Sequence, residues 1–158
     1  MEITPEFQAL LENDAIMIAT MGKAVKDKYG DEGIAVLQDA MEKKYSRIVP
    51  AAAKLAGARL SDGGIEDWVK VEAYFGKGMG MEGEFEVTEG RGLMRVRTCP
   101  FAKQYSKVFP GICPEVLIGC ERAIAHTINP KLKVKGQKYL TTGEDVCEIV
   151  VEFDDAHK

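Results

Sequence analysis

The sequence predicts an α+β domain: a helical N-terminal half packed on an antiparallel sheet of about four strands, with a helical insert between the hairpins. Three observations predict it. From Phe7 to Phe75 apolar residues recur every three to four positions, which is the period of a helix. From Met81 onward the period drops to two, that of a half-buried strand. Between the two strand pairs, Cys99-Pro100, Pro110-Gly111 and Asn129-Pro130 frame a further helical stretch. The 158 residues hold no repeat or low-complexity linker, so they read as a single domain, 1–158. Its helical scaffold covers about 4–75, and its sheet and cysteine-bearing half about 81–153.

Taken in order, Thr4-Pro5-Glu6 supplies a capping hydroxyl, a proline for the first turn and an acid against the helix dipole. Phe7, Leu10, Leu11, Ile18, Met21 and Val25 form the expected buried stripe of a helix that ends at Tyr29-Gly30. A second helix opens near Asp31 with Ile34, Leu37, Met41, Tyr45 and Ile48 facing inward. Pro50 is expected to stop or kink it near Val49, because proline removes an internal donor. A short small-residue helix follows over 51–55 and stops at Gly57. After a loop at 61–64, residues 65–75 keep helical spacing through Ile65, Trp68, Val69 and Glu72. The run 76–80 reads as flexible punctuation. No strand precedes it and no Lys-Ser/Thr follows it, so it is not a phosphate loop.

Two strands come next. Met81, Gly83, Phe85 and Val87 face one way, and Glu82, Glu84 and Glu86 the other. The chain turns at Glu89-Gly90 and returns with Met94 and Val96 inward and Arg95 and Arg97 outward, so the Glu and Arg rows are expected to pair. Residues 101–109 predict a short helix. Cys113-Pro114-Glu115 opens another, whose stripe is Leu117, Cys120, Ile124 and Thr127 and which stops at Asn129-Pro130. Leu132, Val134 and Gly136 alternate with lysines, 141–144 turns, and the last strand sets Cys147, Ile149, Val151 and Phe153 on one face. Residues 154–158 read as a polar tail.

The formal net charge is −4 and the lysines and arginines are scattered, which argues against a nucleic-acid partner. No apolar run approaches the ~20 residues of a membrane span. The opening MEITPEF lacks the basic-then-apolar order of a signal peptide, so a cytoplasmic location is expected. In that compartment four cysteines read as thiols, ligands or nucleophiles before disulfides.

Those cysteines, Cys99, Cys113, Cys120 and Cys147, all fall between Arg91 and the last strand, and chemistry is expected there. Cys120 lies on the apolar stripe of its helix, Cys147 on the inward face of the last strand, and Cys99 at a strand end. A helix packed on the sheet would bring these thiols to one pocket. Cys113, at an N-cap, would have its thiolate favoured by the dipole. The plain alternative is that they are small core hydrophobes. There is no C-x2-C pair, so a zinc site is the weaker reading, although all four thiols are candidate ligands for zinc or iron. His126 lies one residue off the Cys120/Ile124 stripe, and His157 in the tail. Glu121 adjoins Cys120 but points about 100° away from it around the helix. Met17, Met21 and Met41, with Trp68 and Phe75, form core or line an apolar ligand cavity.

Together, RVRTCPFAKQY, GICPEVLIGCERAIAHTINP and LTTGEDVCEIVVEF resemble the L-2-amino-thiazoline-4-carboxylic acid hydrolase family. The resemblance rests on Cys99-Pro100, Cys120-Glu121, Asn129-Pro130 and the run from Gly143 to Cys147, and is clearest in the C-terminal half. It implies a hydrolase of a carbon–nitrogen bond in a small cyclic amidine-like ring, opening a thiazoline towards carbamoyl-cysteine. On that reading a thiolate of Cys99 or Cys147 attacks the C=N carbon, or cysteines hold a metal that activates water. Glu121 or His126 moves the proton, Cys120 lies alongside, and Arg122 holds the substrate carboxylate. The layout also resembles the small-molecule-binding domains named after vinyl reductase, some of which carry cysteine-bound metal. That resemblance implies a sensor or binding domain without turnover. The partner in either case is a small molecule, and a homodimer is compatible with the several apolar stripes.

Overall fold

The computed structural model describes residues 4–154, so the expected tail beyond Asp154, with His157, lies outside the described residues. Helix α1 runs Pro5–Ala56 and opens at Thr4, whose hydroxyl accepts from the Phe7 amide at 3.2 Å. One residue inside it is not helical: Gly30, at φ 60° and ψ −144°, where a side chain would be strained. The chain reverses there, and the limbs 5–29 and 31–56 are the two expected helices. Pro50 neither stops nor separates them from a third. Val49, Ala52 and Ala53 are buried around it, and this packing carries the helix past the missing N–H. The helix ends at Gly57, whose amide reaches the Ala53 and Lys54 carbonyls.

The buried line of the first limb also differs from the expected stripe. Phe7, Leu10 and Met21 are exposed, while Ala15, Ala19 and Gly22 are buried. Small residues occupy the contact because it is close: a Cβ on Gly22 would stand 2.8 Å from the Ile112 side chain. Helix α2, Ile65–Met79, continues through the glycine-rich run and is capped only at Gly80.

Strands β1 (Glu82–Thr88), β2 (Arg91–Thr98), β3 (Leu132–Lys138) and β4 (Cys147–Phe153) form one antiparallel sheet in the order β1-β2-β4-β3. Its outer face carries a charge row across all four strands. Arg95 pairs with Glu84 and Glu86 of β1 and with Glu148 of β4, Glu148 also meets Lys138 of β3, and Arg97 meets Glu84. Between the hairpins lie α3 (Ala102–Val108), a π-helical turn at Cys113–Leu117 and α4 (Ile118–Ile128). The insert is tied to α1 by Lys26 with Glu115 and by Gln38 Nε2 donating to the Glu115 carbonyl at 3.1 Å.

Two cores result. One joins the end of α1, α2 and α4 to the inner sheet face through Val49, Trp68, Ile124, Leu132 and Val151. The other joins both limbs of α1 to α3 and the π-turn through Ala15, Ala19, Ile34, Phe109 and Ile112. The site lies where these cores meet.

Candidate functional site

A cavity of about 670 Å³ opens between the two cores. That volume suits a small organic ligand. Its walls draw on both limbs of α1, on α2, on the π-turn and α4, and on the inner sheet face, and all four cysteines line it. Three tyrosines, Tyr45, Tyr105 and Tyr139, and two glutamates deep in the helical wall, Glu72 and Glu121, complete the polar set considered below.

Each thiol is held by a different element. Cys147 opens β4, and its sulfur accepts from the Leu140 amide at 3.3 Å. Cys99 follows β2. Burial pushes its thiol up, against which the Phe101 and Ala102 amides favour the ionised form. Cys147 is likewise raised by burial, with the Leu140 amide opposing. Cys113 and Cys120 have no backbone donor of this kind, and burial pushes both up to about 12. The N-cap expectation for Cys113 is thereby corrected. Ile112 precedes the π-turn with helical dihedrals, so Cys113 does not sit at a free helix end. The Tyr45 hydroxyl leans on Cys120, and burial together with the Cys120 and Glu121 charges holds that phenol neutral. Burial and neighbouring Cys113 and Glu121 raise Tyr139 to about 12. At neutral pH the wall is therefore lined by uncharged thiols and phenols.

The carboxyl pair is the exception in kind. Glu72 is buried on α2, and Glu121 is buried at its Oε2 on α4. No N–H or O–H among the described residues reaches Glu72 Oε1 or Glu121 Oε2. The nearest polar group acting on each carboxyl is the other carboxyl. Burial, then the charge of Glu121, pushes Glu72 well up, and burial raises Glu121 as well. The Trp68 indole N–H lies beside Glu72 but too loosely to form a hydrogen bond. Glu121 is also within electrostatic reach of Cys113, Cys120, Cys147 and Tyr139, which makes it the hub of the site.

Of the expected residues, the fold brings Cys99, Cys113, Cys120, Cys147 and Glu121 to this cavity. It places the other two elsewhere. His126 is on the outer side of α4, its Nδ1 3.3 Å from Glu42 Oε1, and is 46% exposed. Arg122 stands off the lining, with its Nε buried and unpaired and its charge felt by Tyr139. Among the described residues no three His, Cys, Asp or Glu side chains come together as a metal would require. The thiols share a cavity without forming a coordination sphere, so the zinc or iron expectation does not fit this donor set. Glu72, Tyr45, Tyr105, Tyr139 and Lys44 are wall residues that sequence reasoning did not select. Glu72 had a visible signal, since it falls four residues after Trp68 on the apolar stripe, where a carboxylate is out of place.

These features define an α+β domain whose helices clasp a thiol-lined pocket against an antiparallel sheet. The family model described as L-2-amino-thiazoline-4-carboxylic acid hydrolase matches residues 8–151, and the chain belongs to that family. The match reaches across the N-terminal helices, beyond the C-terminal half where the resemblance was clearest. No curated protein sequence matches the chain. Among solved structures, the phenol-responsive sensory domain of the transcription activator PoxR with phenol has a TM-score of 0.64 at 10% identity, covering 88% of this chain and 74% of that one. Trafficking protein particle complex subunit 3 from Naegleria fowleri, covalently bound to palmitic acid, has a TM-score of 0.61 at 14% identity, covering 93% and 96%. At these identities the likeness is one of fold.

Proposed function

We propose that the chain is a hydrolase that opens a small cyclic amidine-like ring of the L-2-amino-thiazoline-4-carboxylate type inside this cavity. One observation carries the reading: Glu121 sits at the cavity wall within electrostatic reach of Cys113, Cys120 and Cys147. Family membership supplies the ring chemistry.

The attacking atom on this reading is the sulfur of Cys147, with Cys99 beside it. These two thiols have backbone N–H donors that stabilise a developing thiolate, and Cys113 and Cys120 do not. The resting thiol is neutral, so the proton must leave during attack, and Glu121 accepts it. The sulfur bonds to the C=N carbon, a ring bond breaks, and water then releases the product from the sulfur. Cys120 stays a wall residue. His126, facing Glu42 outside the cavity, takes no part in the proton path. The substrate carboxylate falls to Lys44, which lines the cavity and has no ion-pair partner among the described residues, in place of Arg122.

The test is to incubate the full chain with L-2-amino-thiazoline-4-carboxylate and follow ring opening by NMR. Turnover should be lost in Cys147→Ser and survive in His126→Ala. Turnover that persists in a Cys99→Ser, Cys147→Ser double variant would sink the thiol mechanism.

A second reading is binding without turnover. The fold likeness to a sensory domain and the apolar walls contributed by Met94, Val96, Ile124 and Ile149 favour it. Saturable binding of an aromatic or aliphatic small molecule, with no product from the thiazoline, would decide for it.

A further inference from the structure

We propose that Glu72 and Glu121 hold a single proton between them, and that Glu72 is a further catalytic residue, the acid that protonates the departing ring atom. The proposal rests on the ring-opening reading above and extends it to a residue that reading does not use. The geometry points to it in three ways. Both carboxyls line the cavity, one from each of two helices. Neither Glu72 Oε1 nor Glu121 Oε2 has any donor from the rest of the protein. The two groups nevertheless act directly on one another across neighbouring helices, an approach that two carboxylates would resist and that one proton between them relieves. The groups facing the pair from surrounding elements are Tyr45 of α1, Trp68 of α2, Cys113, Cys120, Tyr139 and Cys147. Among the described residues no cation acts on either carboxyl, so a second negative charge there would stand uncompensated and the pair keeps one negative charge and one proton. The proton resides on Glu72, the more deeply desolvated of the two.

The cycle then balances without an outside proton. Cys147 gives its thiol proton to Glu121 as the Sγ–C bond forms. Glu72 gives its proton to the ring atom as the ring bond breaks. The pair now has its proton on Glu121. Water attacks the sulfur-bound carbon and loses a proton to Glu72, and Glu121 returns its proton to the departing Cys147 thiolate. The starting state is restored, with one water consumed and one ring bond broken.

The closing experiment has two readouts on the full chain. Infrared difference spectra of protein labelled with 13C-glutamate should show a buried protonated carboxyl at neutral pH that disappears in Glu72→Gln. This readout needs no turnover. With the thiazoline as substrate, Glu72→Gln, near-isosteric and checked for an unchanged Tm, should lower kcat by roughly 10²–10⁴-fold with KM within threefold. The alkaline fall in kcat, which reports loss of the acid, should vanish in that variant. A neutral-pH spectrum without a protonated buried carboxyl, or one unchanged in Glu72→Gln, overturns the shared proton. A kcat unchanged in Glu72→Gln overturns the acid role. A wild-type protein that shows the carboxyl band and does not open the ring removes the hydrolase reading and the acid role together, while the shared proton stands.

Discussion

At the scale of the residue, the site separates its four thiols by what their sulfurs accept from the backbone. Cys99 and Cys147 have amide donors, whereas Cys113 and Cys120 have none and are pushed to about 12 by burial first and by neighbouring charges, Glu121 among them. Pulse alkylation read by mass spectrometry between pH 7 and pH 10 should therefore label Cys99 and Cys147 first, and all four more slowly than a free thiol. Lys44 gives a second prediction. Lys44→Met should raise KM for the carboxylated thiazoline roughly tenfold, as the loss of a charged hydrogen bond of ~1.5 kcal/mol implies. It should leave the decarboxylated ring unaffected, and Arg122→Met should change neither. Far from the cavity, Asp67 is nearly buried. Burial would raise its carboxyl, but the Gly64 and Arg59 amides and Lys70 more than reverse that and hold it at about 2. A folded value below the ordinary 3.8 means its stabilisation is present at neutral pH and is lost as pH falls from about 4 towards about 2. Asp67→Asn should cost about 2 kcal/mol in urea melts at pH 7, and little at pH 2.

At the scale of the element, close backbone approach fixes how the insert meets α1. A Cβ on Gly119 would stand 2.6 Å from the Gln38 carbonyl oxygen, so Gly119→Ala must push α4 off the second limb. The expected cost is about 1–3 kcal/mol, read as a lowered Tm, with the Glu121 carboxyl displaced along with its helix. Gly119 follows from no pattern in the sequence, because close packing between distant segments leaves no local periodicity. Where the signal was local, the sequence was legible. The period of two marked β1 to β4, Gly30 and Gly57 marked ends of helical limbs, and Cys147 was assigned to the inward face it occupies. Where tertiary contact overrode the local rule, it was not. Pro50 is carried through by its buried neighbours, and Phe7, Leu10 and Met21 face outward because the contact they would make is filled by Ala15, Ala19 and Gly22. The gathering of the thiols could be read from strand and helix faces. The meeting of Glu72 with Glu121 required knowing that α2 lies beside α4. The charge row on the outer sheet face gives one more expectation. Arg95, then Lys138, holds Glu148 below the usual carboxylate range. Its contribution is therefore full at neutral pH and fades as pH falls through that depressed value. In Glu148→Gln the acid unfolding curve, followed by circular dichroism, should lose part of its pH dependence.

At the scale of the whole molecule, the cavity is clasped from three sides by segments far apart in sequence: both limbs of α1, the insert, and the sheet. A ligand bound there contacts both cores at once, so it should stabilise the chain as a unit. The rise in Tm should grow with ligand concentration as RT ln(1 + [L]/Kd) and should be seen equally by helix and sheet probes. Among the described residues no helix is long and apolar enough to cross a membrane, and the first limb of α1 exposes the apolar side chains Phe7, Leu10, Ile16, Met17, Met21 and Tyr29.

The same cavity makes folding a matter of volume. Space inside a protein that no side chain or ligand fills disappears when the chain unfolds and water enters, so hydrostatic pressure favours the unfolded state by an amount that scales with that space. Whatever part of the cavity of about 670 Å³ its apolar walls keep dry adds to this balance in a chain of 158 residues. Trp68, the one tryptophan, is fully buried in the core beneath it, and its ring stacks edge-on to Phe85 of the cavity wall. Its fluorescence under pressure should report a low midpoint for the protein alone. A cavity-filling molecule should shift that midpoint by reducing the volume change as well as by adding binding energy, so compression would distinguish a ligand that occupies the pocket from one that binds elsewhere.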